Sequence, residues 1–379
     1  VRTALAAALC LLAAAASAQD AAVRQPAEAA TAPPGDLAED ARLFAAAVQT
    51  GDPEAAAALF DAEGYFERAL ADLDPAYAEG VRRGAEGAVS FPEQVAAEVA
   101  AGGSYAFLRL AERGGEPRAR FRFVDAGGGL NYHDVLLVRG ADGVGRFRDV
   151  YTFTGGEDLS RSVRRLLGGY TGASGGPPGP RGLRIAELTA AAQRGDHWTV
   201  VETYPRIEPR DEDAKPLLVL YLTAAAAVSP ADYTKALELF QRDFAGDPTA
   251  DLVLIDRHYL RGDFDGVLAA VDRLDAGVGG DPYLDLYRAR AHLDAGRLDE
   301  AQAAADQLAA SLPDVADVLF LRLDVAVVRG DYAAVTALML RLEREFAFEF
   351  APEVLKRDPL WAGFVASPQY KVWAAERRR

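Results

Sequence analysis

Cysteine, methionine and histidine are scarce in this 379-residue chain, which holds one, one and four of them. The single thiol, Cys10, sits in an apolar stretch near the start. A chain so built has no disulfide framework, no thiolate metal site and no cysteine nucleophile to offer. Basic charge is short as well: 41 Lys and Arg face 57 Asp and Glu, a net charge of −16. That balance argues against nucleic-acid binding, which needs a basic face to neutralise phosphates. No apolar run of about 20 residues occurs, so no membrane-spanning helix is expected. Neither a phosphate-cradling glycine loop nor a serine elbow is found, and no cofactor or metal is expected.

What is present begins with "VRTALAAALCLLAAAASAQD". Arg2, the apolar residues 4–16 and the small-x-small Ala16-Ser17-Ala18 follow the order of a cleaved secretory signal. Residues 1–18 are therefore expected to direct export, to the periplasm or outside the cell. Residues 19–35, rich in Ala and Pro and without apolar periodicity, read as an unstructured leader.

Residues 168–182, "GGYTGASGGPPGPRG", have too little apolar content for a packed helix or strand and are expected to link two halves. The second half repeats. "RGDFDGVLAAVDRL", "AGRLDEAQAAADQL" and "RGDYAAVTALMLRL" place Gly262, Gly296 and Gly330 at intervals of 34 residues, with weaker copies around Gly195 and Ala231. Asp247-Pro248 and Asp281-Pro282 recur at the same interval, each a capping aspartate before a proline at the first helical position.

A 34-residue period with a glycine turn between helices resembles the tetratricopeptide repeat. Ala289, Gly296, Ala301 and Pro313 carry that resemblance, while the large aromatic of the first helix is missing and Ile255 and Leu323 replace the small residue in neighbouring copies. It implies an all-α helical solenoid of about five helix pairs over 183–346, with a groove for a protein or peptide partner. Trp361, Phe364, Tyr370 and Trp373 give residues 347–379 an apolar face suited to capping the last pair.

The first half alternates. Helices are expected over 37–49, 53–60, 64–72 and 91–101. The strands "SYAFLRLAER", "PRARFRFVDA", "NYHDVLLVRG" and "VGRFRDVYTF" follow, and a helix begins at Glu157. Helices, then a curved antiparallel four-stranded sheet, then a helix over residues 36–167 resembles the cystatin-like α+β fold of the nuclear transport factor 2 (NTF2-like) and SnoaL-like proteins. That resemblance implies a pocket between sheet and helices, in some members used for proton transfer, and a sheet through which a homodimer forms.

With Asp142-Gly143 as a two-residue hairpin, Ala141 pairs with Val144, Val138 with Phe147, Leu136 with Asp149, Asp134 with Tyr151 and Tyr132 with Phe153. Alternation then sends His133 to the opposite face from its neighbours Tyr132 and Asp134, so no relay links His133 to Asp134. It brings Tyr132, Asp134, Asp149 and Tyr151 onto one largely apolar face, the candidate ligand pocket. Asp134 and Asp149 are the candidate catalytic pair, because two carboxylates on an apolar wall titrate upward and one can act as a base. The competing reading ties both aspartates into a satisfied core. Arg118, Arg120 and Arg122, repeated by Arg146 and Arg148, read as a solvated outer face, or else as a dock for an acidic partner.

The remaining motifs have plain explanations. His258 and His292 lie 34 apart because the repeat does, and no third ligand joins them. "RGD" at 194–196, 261–263 and 329–331 is a turn: Gly relieves the backbone and Asp caps the next helix. The residues favour an exported, non-catalytic interaction protein. The alternative is an enzyme of isomerase or dehydratase type, or a small-ligand binder, with its pocket lined by Asp134 and Asp149.

Overall fold

The computed structural model describes residues 36–85, 90–140, 142–171, 179–208, 213–244 and 250–376. The leader, Ala141 and Asp247-Pro248 lie outside them. The chain divides into two compact units, Val1–Val253 and Leu254–Arg379.

In the first unit, helices α1 (Leu37–Gln49), α2 (Pro53–Ala57), α3 (Ala62–Ala69), α4 (Pro75–Gly84) and α5 (Phe91–Ala100) precede the sheet. Aspartates open the first four: Asp36, Asp52, Asp61 and Asp74 each accept backbone N–H groups of the first turn. Such a cap satisfies donors that the helix itself cannot. Helix α4 was not expected from the sequence. Its signal, Asp74-Pro75, is the same capped Asp-Pro start found later in the repeats.

Strands β1 (Ser104–Arg113), β2 (Glu116–Val124), β3 (Leu130–Arg139) and β4 (Gly145–Thr152) form an antiparallel meander in sequence order. A short fifth strand, β5 (Glu157–Asp158), pairs with β4 just ahead of α6 (Leu159–Thr171), so the sheet has five strands rather than four. One face packs on α1 and α5 through aromatic contacts: Phe44 on Tyr105 and Phe121, and Phe91 on His133 and Phe147.

The register of β3 and β4 follows the alternation over the inner half, where Leu136 faces Asp149 and Asp134 faces Tyr151. Towards the hairpin it slips by one. Val138 faces Arg146 and Leu137 faces Phe147, across a bulge at Leu136/Leu137. The cause lies on the other side of β4. Phe147 donates to Leu59 O at 2.7 Å and accepts from Asp61 N at 2.8 Å, so its backbone serves a second neighbour. The loop is correspondingly longer than two residues, closed by Gly140 N to Val144 O at 2.9 Å and turned at Gly143 (φ 78°).

The glycine/proline stretch is partly helical, contrary to expectation. Helix α6 runs through Gly168 to Thr171, and Pro180 opens α7 (Pro180–Gln193). Helix α6 packs on α3 and α7, and such packing overrides the helix penalty of glycine. Helices α8 (His197–Thr203), α9 (Ala214–Val228) and α10 (Pro230–Phe244) complete the unit, while α11 (Ala250–Leu260) crosses its boundary.

The second unit continues with α12 (Phe264–Val278), α13 (Asp285–Asp294), α14 (Leu298–Ser311), α15 (Ala316–Arg329) and α16 (Tyr332–Phe346). The turns between paired helices share one construction. Gly195, Gly262, Gly296 and Gly330 are left-handed, at φ 65° to 73°. The residue after each donates back to a carbonyl five positions earlier: Asp196 to Ala191, Asp263 to His258, Arg297 to His292, Asp331 to Ala326. That is a Schellman closure. Asp196, Asp263 and Asp331 then cap α8, α12 and α16, which accounts for all three RGD tripeptides.

Short helices α17 (Pro352–Leu355), α18 (Ala362–Ala366) and α19 (Pro368–Glu376) end the chain's described part. Trp361, in the turn before α18, and Phe364, Tyr370 and Trp373 are buried in one cluster with Leu319, Val335, Met339 and Leu342 of α15 and α16. The aromatics thereby cover the last helix pair.

Candidate functional site

The sheet face opposite α1 and α5 carries Tyr132, Asp134, Asp149 and Tyr151, brought together as the pleat requires. Its surroundings differ from expectation. The face is not an apolar wall, and Arg118, Arg120 and Arg122 are not solvated: all three are buried on it. Helices α3 and α6 supply groups to this face, which no strand pattern could announce.

Asp134 is fully buried and saturated. Across the β2–β3 ladder, Arg120 Nε donates to Oδ1 at 2.6 Å and Nη2 to Oδ2 at 2.8 Å. Arg113 Nε and Nη2 add donations to Oδ2 at 3.0 and 2.9 Å, with the guanidinium 3.5 Å from the Tyr151 ring centre. Tyr132 packs edge-on against Phe153.

Asp149 is equally buried. Its Oδ1 accepts from the backbone N–H of Val150 and Ser160 at 2.9 and 3.2 Å. Its Oδ2 accepts from Ser160 Oγ at 2.6 Å and Arg68 Nε at 3.0 Å. Burial raises its carboxyl above the usual range, the Asp158 charge adds to this, and the Ser160 and Val150 bonds oppose it. A raised carboxyl is what a base needs, yet both oxygens are already engaged by donors. Arg68 goes on to pair with Glu116 at 2.9 Å, and Arg118 joins Glu116 at 2.7 Å to Asp158 at 2.9 Å. The result is one ionic network binding α3, three strands and the start of α6. A buried charge is tolerated when paired and hydrogen-bonded in this way.

Arg68, Arg113, Glu116, Asp158 and Ser160 were not legible as members of this network. One signal existed: Gly114-Gly115 is a two-residue hairpin loop that pairs Arg113 with Glu116 and so places both on the Asp134 face.

His133 does face away from Asp134. It is fully buried among Phe91, Tyr105 and Phe123, ring centres 5.2 to 5.7 Å away, and neither ring nitrogen has a hydrogen-bond partner. Burial pushes its pKa down to about 3, against a weaker upward pull from Asp134. Such an imidazole is neutral and encased, with no path to a reacting group.

A second surface lies on the first helices of the pairs in the second unit. Helices α13 and α15 pack together, and α13 with the turn Pro282–Leu284 before it is tied to α15 between equivalent repeat positions. Tyr283 Oη donates to Asp317 Oδ2 at 2.8 Å, and Arg290 Nη2 to Asp324 Oδ2 at 2.7 Å. Burial raises the Asp324 carboxyl, opposed by Arg290 and reinforced by Asp294. One position per repeat is left outward: Leu260 (53% exposed), Asp294 and Val328 (43%). His258 is held by Asp263 at 2.7 Å. Among the described residues no group of three or more His, Cys, Asp or Glu could hold a metal ion, and no helix is long and apolar enough to cross a membrane.

Comparison with protein-family models, curated proteins and solved structures returned no match to this chain.

Proposed function

We propose that this chain is an exported, non-catalytic interaction protein whose tetratricopeptide-like helix pairs present a groove to a protein or peptide partner. Its NTF2-like first half serves as a second binding or dimerisation module. The observation that carries this reading is the outward position shared by Leu260, Asp294 and Val328. Two of the three are exposed aliphatics, Leu260 and Val328, and the repeat between them offers Asp294, so a segment laid across successive helices would meet two apolar anchors with a carboxylate between. Export rests on the order of features in residues 1–18.

The alternative, proton transfer at Asp134 and Asp149, has less support. A base must reach a substrate proton, and these carboxylates are fully buried with their oxygens engaged by arginines, Ser160 and backbone N–H groups.

Panning a random peptide library on the immobilised full chain tests the proposal. Enriched peptides are expected to lose binding to a Leu260→Asp/Val328→Asp variant and to keep it with Leu183→Asp, an exposed position on α7. Peptides indifferent to the double variant, or no enrichment at all, contradict it.

A further inference from the structure

Helix α15 carries Asp317, Phe320, Asp324 and Val328 at helical spacing, on the stripe that Tyr283 and Arg290 tie down. Phe320 stands two turns before Val328, about 12 Å along the axis. It is the aromatic counterpart of Leu286, one repeat earlier. Val328 is exposed, but Phe320 is covered, and the cover is the chain's own. After α16 the backbone runs without regular structure from Ala347 to Ala351 and lays Phe348 edge-on against Phe320, ring centres 4.8 Å apart.

This segment is lightly held. Ala347, not a glycine, takes the left-handed conformation (φ 52°, ψ 27°), which a Cβ disfavours. Phe348 N–H reaches Leu342 O at 3.3 Å. Among the described residues, the N–H groups of Glu349, Phe350 and Ala351 make no backbone hydrogen bond. Beside the segment opens a cavity of about 530 Å³, lined by Ala347, Phe348, Glu349 and Phe350 together with Glu343, so the segment is unpacked on that side. Phe348 stays 43% exposed. The terminal cap does not depend on it. Phe350 and Trp361 join the cluster beneath, and Phe348 remains outside that cluster.

We propose that residues 347–349 are a displaceable strap, with Phe348 filling in the free chain the place on α15 that an aromatic side chain of an extended partner segment takes. The proposal deepens the interaction-protein reading and rests on it. The strap displays what the place accepts: an extended backbone carrying a ring that meets Phe320 edge-on. Two opposing effects set its balance. The tether keeps Phe348 at high local concentration and favours closure, while the left-handed Ala347 favours lifting. A partner binds only chains whose strap has lifted, so its apparent affinity is reduced by that fraction.

The test is titration of the isotope-labelled full chain with acetyl-Ala-Phe-Glu-amide, the strap's own sequence, read from the amide shifts of Phe320, Asp324 and Val328. Acetyl-Ala-Ala-Glu-amide is the control without the ring. Saturable shifts at those residues are expected with the phenylalanine peptide alone. Phe348→Ala, at an exposed position, removes the built-in competitor and should tighten binding about fivefold. Ala347→Gly relieves the left-handed residue, holds the strap down and should weaken binding about two- to fivefold. That second variant keeps the Phe348 side chain, so the outcome does not hang on Phe348→Ala folding normally. Equal affinity in wild type and both variants, tighter binding in Ala347→Gly, or shifts only elsewhere overturn the proposal. A chain that enriches library peptides but shows none of these shifts overturns the strap alone. A chain that does neither overturns the interaction reading beneath it.

Discussion

Arg120 and Asp134 face each other across β2 and β3 and share two hydrogen bonds, at 2.6 and 2.8 Å, with the aspartate fully buried. Arg113 donates to the same carboxylate. Removing the anion leaves both guanidiniums without their counter-charge. Asp134→Ala is therefore expected to lower stability by about 3–5 kcal/mol, read from urea denaturation. A loss below about 1 kcal/mol would mean the ion pairs are dispensable and would return Asp134 to the list of functional candidates.

His133 makes a pH prediction. Its folded pKa is depressed to about 3, against an unfolded value near 6.5, so below pH 6.5 the unfolded chain takes up a proton that the native chain refuses. Stability is then lost as pH falls from about 6.5 towards 3, by up to about 1.4 kcal/mol per pH unit. His133→Phe keeps the aromatic packing and removes the titration. Its stability advantage over wild type is expected to widen across that window. Taking the difference isolates the imidazole from Asp149, whose raised carboxyl contributes with the opposite sign. A constant difference from pH 7 to 4 would contradict the burial.

The repeat turns predict small, separable costs. Gly296 has a φ of 73° and open space where a Cβ would go, so Gly296→Ala should cost only the left-handed penalty, about 1 kcal/mol. Asp331→Ala removes the cap that accepts from Ala334 N at 3.0 Å and should cost about 1 kcal/mol. Thermal melts of the two variants and their double mutant would show additive losses, since they serve different turns.

Trp373 is 1% exposed in the cluster that covers α15 and α16. Trp373→Ala is expected to cost about 3–5 kcal/mol and to raise hydrogen exchange in those helices first. Unchanged exchange there would mean the terminal aromatics are not a cap.

The sequence was most legible where local chemistry decides the structure. A glycine with a following aspartate forces the left-handed turn and caps the next helix, so Gly262-Asp263 and Gly330-Asp331 could be placed without knowing anything distant. Alternation alone separated His133 from Asp134. It failed beyond Leu136, because the bulge there answers to Leu59 and Asp61, residues far away in sequence. The burial of Arg118 and Arg120 was hidden for the same reason. A strand's outer face is solvated only until another element reaches it, and here α3 and α6 bring Arg68 and Ser160.

The central claim is that recognition belongs to the helix pairs and that the buried acids of the sheet are structural. Hydrogen–deuterium exchange of the full chain, with and without the tightest library-selected peptide, tests it most directly. The account predicts added protection in α11, α13 and α15, with β3 and β4 unchanged. Protection concentrated at Asp134 and Asp149 in β3 and β4, with α13 and α15 unaffected, would contradict it.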